Sequence, residues 1–141
     1  MNIKKSIPVL LMAMLTVLLV GCGSQGTTLT GTDRESVLAF TEPMSDNLLT
    51  GMNAGDYAVF SRDFDVDMSK AMTASQFADL KKDRDAKLGL YISRQVSSVT
   101  ESGGFYIVVY DAKFEKDSAV VVRIVFRVDE PHQVSGLWFS K

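Results

Sequence analysis

Few residues in this chain of 141 have the chemistry for catalysis or metal binding: it holds one Cys, one His and four Tyr. Alternate acids at Asp63, Asp65 and Asp67 begin like a calcium loop. The pattern fails further on, because Met68 stands where a sharp turn needs Gly and Ala74 where a bidentate Glu is needed. Phe64 and Val66 between the acids suit a short extended segment with its apolar side inward. His132 follows Pro131 in a turn, with no second ligand and no Ser or Cys nucleophile beside it, and reads as a surface turn residue. No metal or cofactor is expected, and no glycine fingerprint or Walker loop occurs; Gly103-Gly104 is a hairpin signal. The remaining candidates are tyrosines: Tyr106 and Tyr110, at inward-facing strand positions, with Tyr57 and Tyr91. A buried Tyr is usually a packing group with one satisfied hydroxyl, so no catalytic residue is assigned.

The thiol has a different context. Lys4 and Lys5 precede an apolar run from Ile7 to Val20, which has signal-peptide length and is short for a bilayer core of about 30 Å. The run ends in Leu19, Val20, Gly21, Cys22, which resembles the lipobox of bacterial-type lipoproteins. The resemblance implies a thioether from Cys22 to a diacylglyceryl group and cleavage between Gly21 and Cys22. The mature protein would then be held on the extracytoplasmic face of the cell membrane. Two acyl chains, at about 0.8 kcal/mol per buried CH₂, make a stable anchor where one would be marginal. The mature domain then has no thiol for catalysis, metal binding or disulfides.

Residues 1–21 form the signal peptide, and their removal deletes Lys4 and Lys5 but no acid. The mature chain keeps 13 of the 15 basic residues against 17 acidic ones, a net charge of −4. That balance attracts neither nucleic acid nor anionic lipid. Residues 22–31 comprise the lipidated Cys and a small, polar, uncharged stretch, GSQGTTLTG, with the composition of a flexible tether spanning about 17 Å. Residues 32–141 form a single domain, long enough to fold without staples.

The elements that must position any site follow from spacing. Thr32 and Glu35 form a capping box, and a helical stripe continues through Val37, Leu38, Phe40, Met44, Leu48, Leu49 and Met52. Pro43 predicts a kink or break near Thr41, and Gly51 and Gly55 mark the end. Asp56 caps a short helix through Tyr57, Val59 and Phe60. Thr73 and Gln76 form a second capping box, opening a helix through Phe77, Leu80, Arg84 and Leu88 that stops at Gly89. The mixed charges Lys81, Lys82, Asp83, Arg84, Asp85 and Lys87 read as a solvated face.

After Gly89 β-branched and aromatic residues dominate, broken at residues 102–104, 115–118 and 129–132, which predicts a four-stranded antiparallel meander. Helices before and a sheet after imply an α+β domain with the helices on one sheet face. A three-residue loop of Lys116, Asp117 and Ser118 sets Asp111 opposite Arg123, Val109 opposite Val125 and Ile107 opposite Arg127. The other face then pairs Tyr106 with Val128, Val108 with Phe126, Tyr110 with Ile124 and Ala112 with Val122, and must lie under the helices. The outward face carries an ion pair beside a surplus of apolar residues: Phe105, Ile107, Val109, Val121 and Val125. Together with Arg123 these predict a partner surface, met by a second copy of the chain. In the last strand either Trp138 or the Leu137 and Phe139 pair points inward.

Glu42-Pro-Met-Ser-Asp-Asn-Leu-Leu, Gly55-Asp-Tyr, Phe60-Ser-Arg-Asp-Phe-Asp65, Leu88-Gly-Leu-Tyr91, the strand ending at Phe114, and Val134-Ser-Gly-Leu-Trp-Phe139 carry a family resemblance. Over nearly all of residues 34–139 the chain resembles the domain-of-unknown-function family 3887, of the nuclear transport factor 2-like, cystatin-like group. The resemblance implies a cone: a curved sheet wrapped on a long helix, with a conical cavity at its open end and dimerisation through the outer sheet face. It implies no reaction, because this fold hosts isomerases, dehydratases, transport factors and plain binding modules. The expected function is a lipid-anchored module for a small ligand or a protein partner. The alternatives are a small isomerase or hydrolyase using cavity tyrosines, and a structural, self-associating envelope lipoprotein.

Overall fold

The computed structural model describes residues 25–141. In chain order these form β1 (Thr27–Thr28), α1 (Gly31–Ala54), α2 (Tyr57–Phe60), α3 (Val66–Ala71), α4 (Ala74–Lys87), β2 (Tyr91–Ser102), β3 (Phe105–Phe114), β4 (Asp117–Arg127) and β5 (Val134–Ser140). The signal run, the lipobox and Cys22 lie outside the described residues. No described helix is long and apolar enough to cross a membrane.

The α1 stripe buries Val37, Leu48, Leu49 and Met52 against the sheet. Each such side chain contributes roughly 1.5–3 kcal/mol on leaving water. Pro43 does not break the helix as expected: it lies on the exposed face, where the carbonyl it leaves without a donor is open to water. The capping box expected at Thr32 is not formed either. Thr30 is the N-cap, which puts Thr32 inside the first turn, and its carbonyl accepts from the Ser36 hydroxyl at 2.8 Å. Gly51 lies within the helix rather than at its end. A Cβ there would come 2.6 Å from the Phe60 amide nitrogen, so the glycine lets α2 cross close against α1. The helix ends at Gly55, in the left-handed conformation.

Asp56 caps α2, and Thr73 and Gln76 form the expected box at α4. The acidic stretch departs from expectation. Phe64 turns inward and bridges Val134, but Val66 is 65% exposed and begins α3, with the Asp65 carboxylate accepting the Met68 amide at 2.7 Å. Arg84 also leaves the solvated face assigned to it: it is buried, bonded to Asn53 Oδ1 at 2.8 Å and to Asp85, and sits over the Phe114 ring.

The sheet has five strands in the order β1-β2-β3-β4-β5, all antiparallel, not four. The added strand comes from the stretch with tether composition: Thr27 pairs with Glu101, Thr28 with Thr100, and the Leu29 amide donates to the Val99 carbonyl at 2.8 Å. Between β3 and β4 the register differs by two residues from expectation, with Val109 opposite Arg123, Ile107 opposite Val125 and Tyr110 opposite Val122. The cause is a tighter turn: Asp117 already pairs with Phe114, and an irregularity between Ala112 and Phe114 absorbs the odd residue. A shift of two preserves side-chain direction, so Val108, Tyr110, Ala112, Val120, Val122, Ile124 and Phe126 share the buried face as expected. In β5 Leu137 and Phe139 pack on the core and Trp138 points out, 51% exposed.

Candidate functional site

Where the first turns of α1 meet the ends of β2 and β3, the chain leaves a pocket of about 280 Å³. Leu29 enters it from the chain following β1; Asp33, Ser36, Val37 and Phe40 come from one face of α1; Glu101 and Tyr106 come from facing positions on β2 and β3; His132 comes from the β4–β5 turn. The floor is thus apolar and aromatic, and the polar groups stand around it.

His132 is not the free surface turn residue expected from the sequence. Its ring is half-buried and stacked on Phe40, with centroids 3.9 Å apart and planes at 13°, and Tyr106 tilts against the same Phe40 ring at 5.9 Å. His132 Nδ1 lies 3.3 Å from the Arg127 carbonyl oxygen. A carbonyl only accepts, so Nδ1 carries the hydrogen in this contact and Nε2 keeps the lone pair when the ring is neutral. The carboxylates of Asp33 and Glu101 are exposed at the rim, and neither has a side-chain hydrogen bond or ion pair among the described residues.

A second polar constellation ties α1 to the sheet. Tyr110 is fully buried on β3; its hydroxyl donates to Glu42 Oε1 at 2.7 Å and lies 2.9 Å from Ser45 Oγ. Arg94, on β2, reaches Glu42 Oε2 at 3.0 Å, Asp46 Oδ1 at 2.6 Å and the Tyr91 hydroxyl at 3.1 Å, with its guanidinium over the Tyr110 ring. Burial, reinforced by the Glu42 carboxylate, pushes the Tyr110 phenol well above the ordinary tyrosine value. Burial works against the charge on Arg94, but Asp46, Tyr91 and Glu42 outweigh it and hold the guanidinium protonated. Thr41 Oγ1 and Arg94 Nε are buried without a partner. Tyr110 and Arg94 both hold their protons at neutral pH, as a brace between α1 and the sheet requires.

The four sequence-chosen tyrosines therefore separate. Tyr106 borders the pocket. Tyr91 and Tyr110 share Arg94. Tyr57 donates to the Met72 carbonyl at 2.7 Å and packs against Phe60 and Phe77. Of the three acids, Asp63 turns away and accepts from Asn47, whereas Asp65, which caps α3 and accepts from Ser135, shares Arg127 with Asp67, the latter at 3.3 Å.

On the outer sheet face Phe105, Ile107, Val109 and Val121 are half-buried and Val125 is buried. The expected Asp111–Arg123 ion pair is not formed, because the shifted register sets Asp111 against Val121. Arg123 lies over the Trp138 ring at 5.2 Å and Arg127 over Phe105 at 5.8 Å, so arginine stems cover part of this face. Sequence reasoning missed Asp33, Ser36, Glu101, Glu42, Asp46 and Arg94 as site residues. Arg94 alone carried a signal, as a charge in the inward register of a strand.

The model of the family described as a protein of unknown function, DUF3887, matches residues 45–137. No curated protein matches the chain, and no solved structure does.

Proposed function

Since the chain belongs to the DUF3887 family, whose description assigns no reaction, we propose a role from the site itself: a lipid-anchored extracytoplasmic module that binds a small molecule in the end pocket. The observation that carries this reading is the lining, an apolar and aromatic floor of Leu29, Val37, Phe40, Tyr106 and His132 edged by a few polar groups. Small-molecule sites are built in this way, and about 280 Å³ suits a ligand at the small end of their range. The anchor is the diacylglyceryl thioether on Cys22, for which the lipobox-like Leu19, Val20, Gly21 is the support.

The finer fold assignment is the nuclear transport factor 2-like cone; α1 packed on the buried face of an antiparallel sheet, with a pocket at one end, supports it. Homodimerisation through Phe105, Ile107, Val109 and Val121 belongs to the same proposal, because these apolar side chains are only half covered. Light scattering tests it: a monomer at high concentration overturns the dimer.

The full chain purified from membranes should carry a small molecule detectable by native mass spectrometry. Ser36→Trp, which fills the pocket from an exposed helix position, should abolish that mass with the thermal midpoint unchanged. Retention of the ligand by Ser36→Trp overturns the pocket assignment. Cys22→Ser should release the protein from the membrane fraction; full processing and retention of that variant overturn the anchor.

One observation favours a second reading, a proton-transfer isomerase or hydrolyase. With Nδ1 bonded to the Arg127 carbonyl, His132 Nε2 is available as a base, and the ring borders the pocket. Turnover of a bound ligand that is lost in His132→Gln, with binding retained, would select it.

A further inference from the structure

The end pocket carries a charge preference as well as a shape. Leu29, Val37 and Phe40 give it an apolar floor, with the Tyr106 and His132 rings beside them. Among the described residues that line it no Lys or Arg occurs, whereas the Asp33 and Glu101 carboxylates stand at the rim with no side-chain hydrogen bond or ion pair among the described residues. An anion entering here meets two uncompensated carboxylates. A neutral molecule gains only the floor. A cation with a hydrocarbon or aryl body satisfies both parts, its ammonium at the carboxylates and its body on the rings, whose faces also attract positive charge.

We propose that the end pocket selects a small cationic amphiphile, an arylalkyl- or alkylammonium compound. The proposal rests on the reading of this pocket as the ligand site. The volume of about 280 Å³ admits a fragment-sized body and leaves no room for the acyl chains of a two-chain lipid. The hydroxyls of Ser36, from α1, and Tyr106, from β3, can accept from the ammonium.

The test uses the full lipidated chain in nanodiscs of zwitterionic lipid, with empty nanodiscs as reference. Three probes that share a 2-phenylethyl body and differ only in the head group are titrated by ligand-observed NMR: 2-phenylethylammonium, 2-phenylethanol and 3-phenylpropanoate. The cation should bind about fivefold tighter than the alcohol, with an affinity that falls as salt rises, and the anion most weakly. Asp33→Asn and Glu101→Gln, both at exposed positions, should each weaken the cation about threefold and leave the alcohol unchanged. Equal binding of all three probes, or no effect of the two rim variants, overturns the charge selection while the pocket stands as a ligand site. Binding that survives Ser36→Trp, or no binding by any probe at millimolar concentration, overturns both.

Discussion

Glu42 on α1 and Arg94 on β2, 52 residues apart in the chain, meet at 3.0 Å with the arginine side chain only 7% exposed and the glutamate 38% exposed. The asymmetry decides how the brace responds to mutation. If Arg94 is replaced by Met, Glu42 and Asp46 can rehydrate. If both carboxylates are neutralised, a buried guanidinium is left without a counter-charge. Arg94→Met should therefore cost about 1–2 kcal/mol, and Glu42→Gln with Asp46→Asn about 3 kcal/mol or more. Denaturant unfolding of the two variants checks the order; equal costs would contradict it.

Tyr110 gives the brace an alkaline limit. Its phenol titrates well above the ordinary value in the folded protein because burial and Glu42 disfavour the phenolate. Below the unfolded value of about 10 both states hold the proton and the stabilisation is complete. As pH rises past about 10 the unfolded chain loses its proton first, so stability falls towards the raised folded value. Tyr110→Phe should flatten that alkaline slope, at a cost of about 1–2 kcal/mol near neutrality from the Ser45 hydroxyl left without its partner. Absorbance of phenolate against pH, alongside unfolding curves, measures both effects.

Asp65 sets the acid limit. Burial alone would raise its carboxyl, but Ser135, the Met68 amide and Arg127 outweigh burial and hold it below the ordinary carboxylate range. Its contribution is present above the unfolded value of about 4 and is lost as pH falls through the lowered folded value. Asp65→Asn should lower stability at pH 7 by about 1–3 kcal/mol and shrink the gap between variant and parent on acidification. A gap that stays constant down to pH 2 would show that the charge is not what counts.

Much of this architecture was readable before any coordinates, and what failed shares a cause. Alternation in β3 and β4 identified the buried face through Val108, Tyr110, Val122 and Ile124 even with the register displaced, because a shift of two leaves every side chain on its own side. Thr73 with Gln76 announced α4 through contacts three residues apart. Arg84 reads as part of the solvated run Lys81–Lys87 by its charge, although its spacing from Phe77, Leu80 and Leu88 sets it on the buried stripe; the partner that holds it there, Asn53, lies 31 residues away. His132 stacking on Phe40 is equally non-local. The end pocket is assembled from β1, α1, β2, β3 and the β4–β5 turn, and no local pattern encodes that convergence. β1 escaped because Thr27 and Thr28, although β-branched, stand in too short a run between Gly26 and Gly31 to be told from a polar linker.

That short strand has a consequence for the proposed anchor. Gly26 lies so close to β2 that a Cβ would come 2.6 Å from Thr100 Cγ2 and 2.9 Å from Ser102 Cβ. The chain is thus fixed to the sheet from Gly26 through Leu29, whose amide bonds Val99 and whose side chain lines the pocket. Three residues lie between Cys22 and Gly26, four steps of chain that reach at most about 14 Å when extended. A lipid on Cys22 would therefore hold the pocket end of the domain near the bilayer, closer than a free tether through Gly31 allows. Gly26→Val should detach β1 while leaving the core intact, because the two-residue pairing is a small part of the sheet. Amide exchange at Leu29 should rise by at least tenfold, corresponding to about 1.4 kcal/mol of lost local protection, with global stability changed by less than about 1 kcal/mol. The same variant should weaken ligand binding at the pocket, since Leu29 loses its fixed place in the wall. Unchanged exchange at Leu29 would mean that the glycine is not what admits the strand.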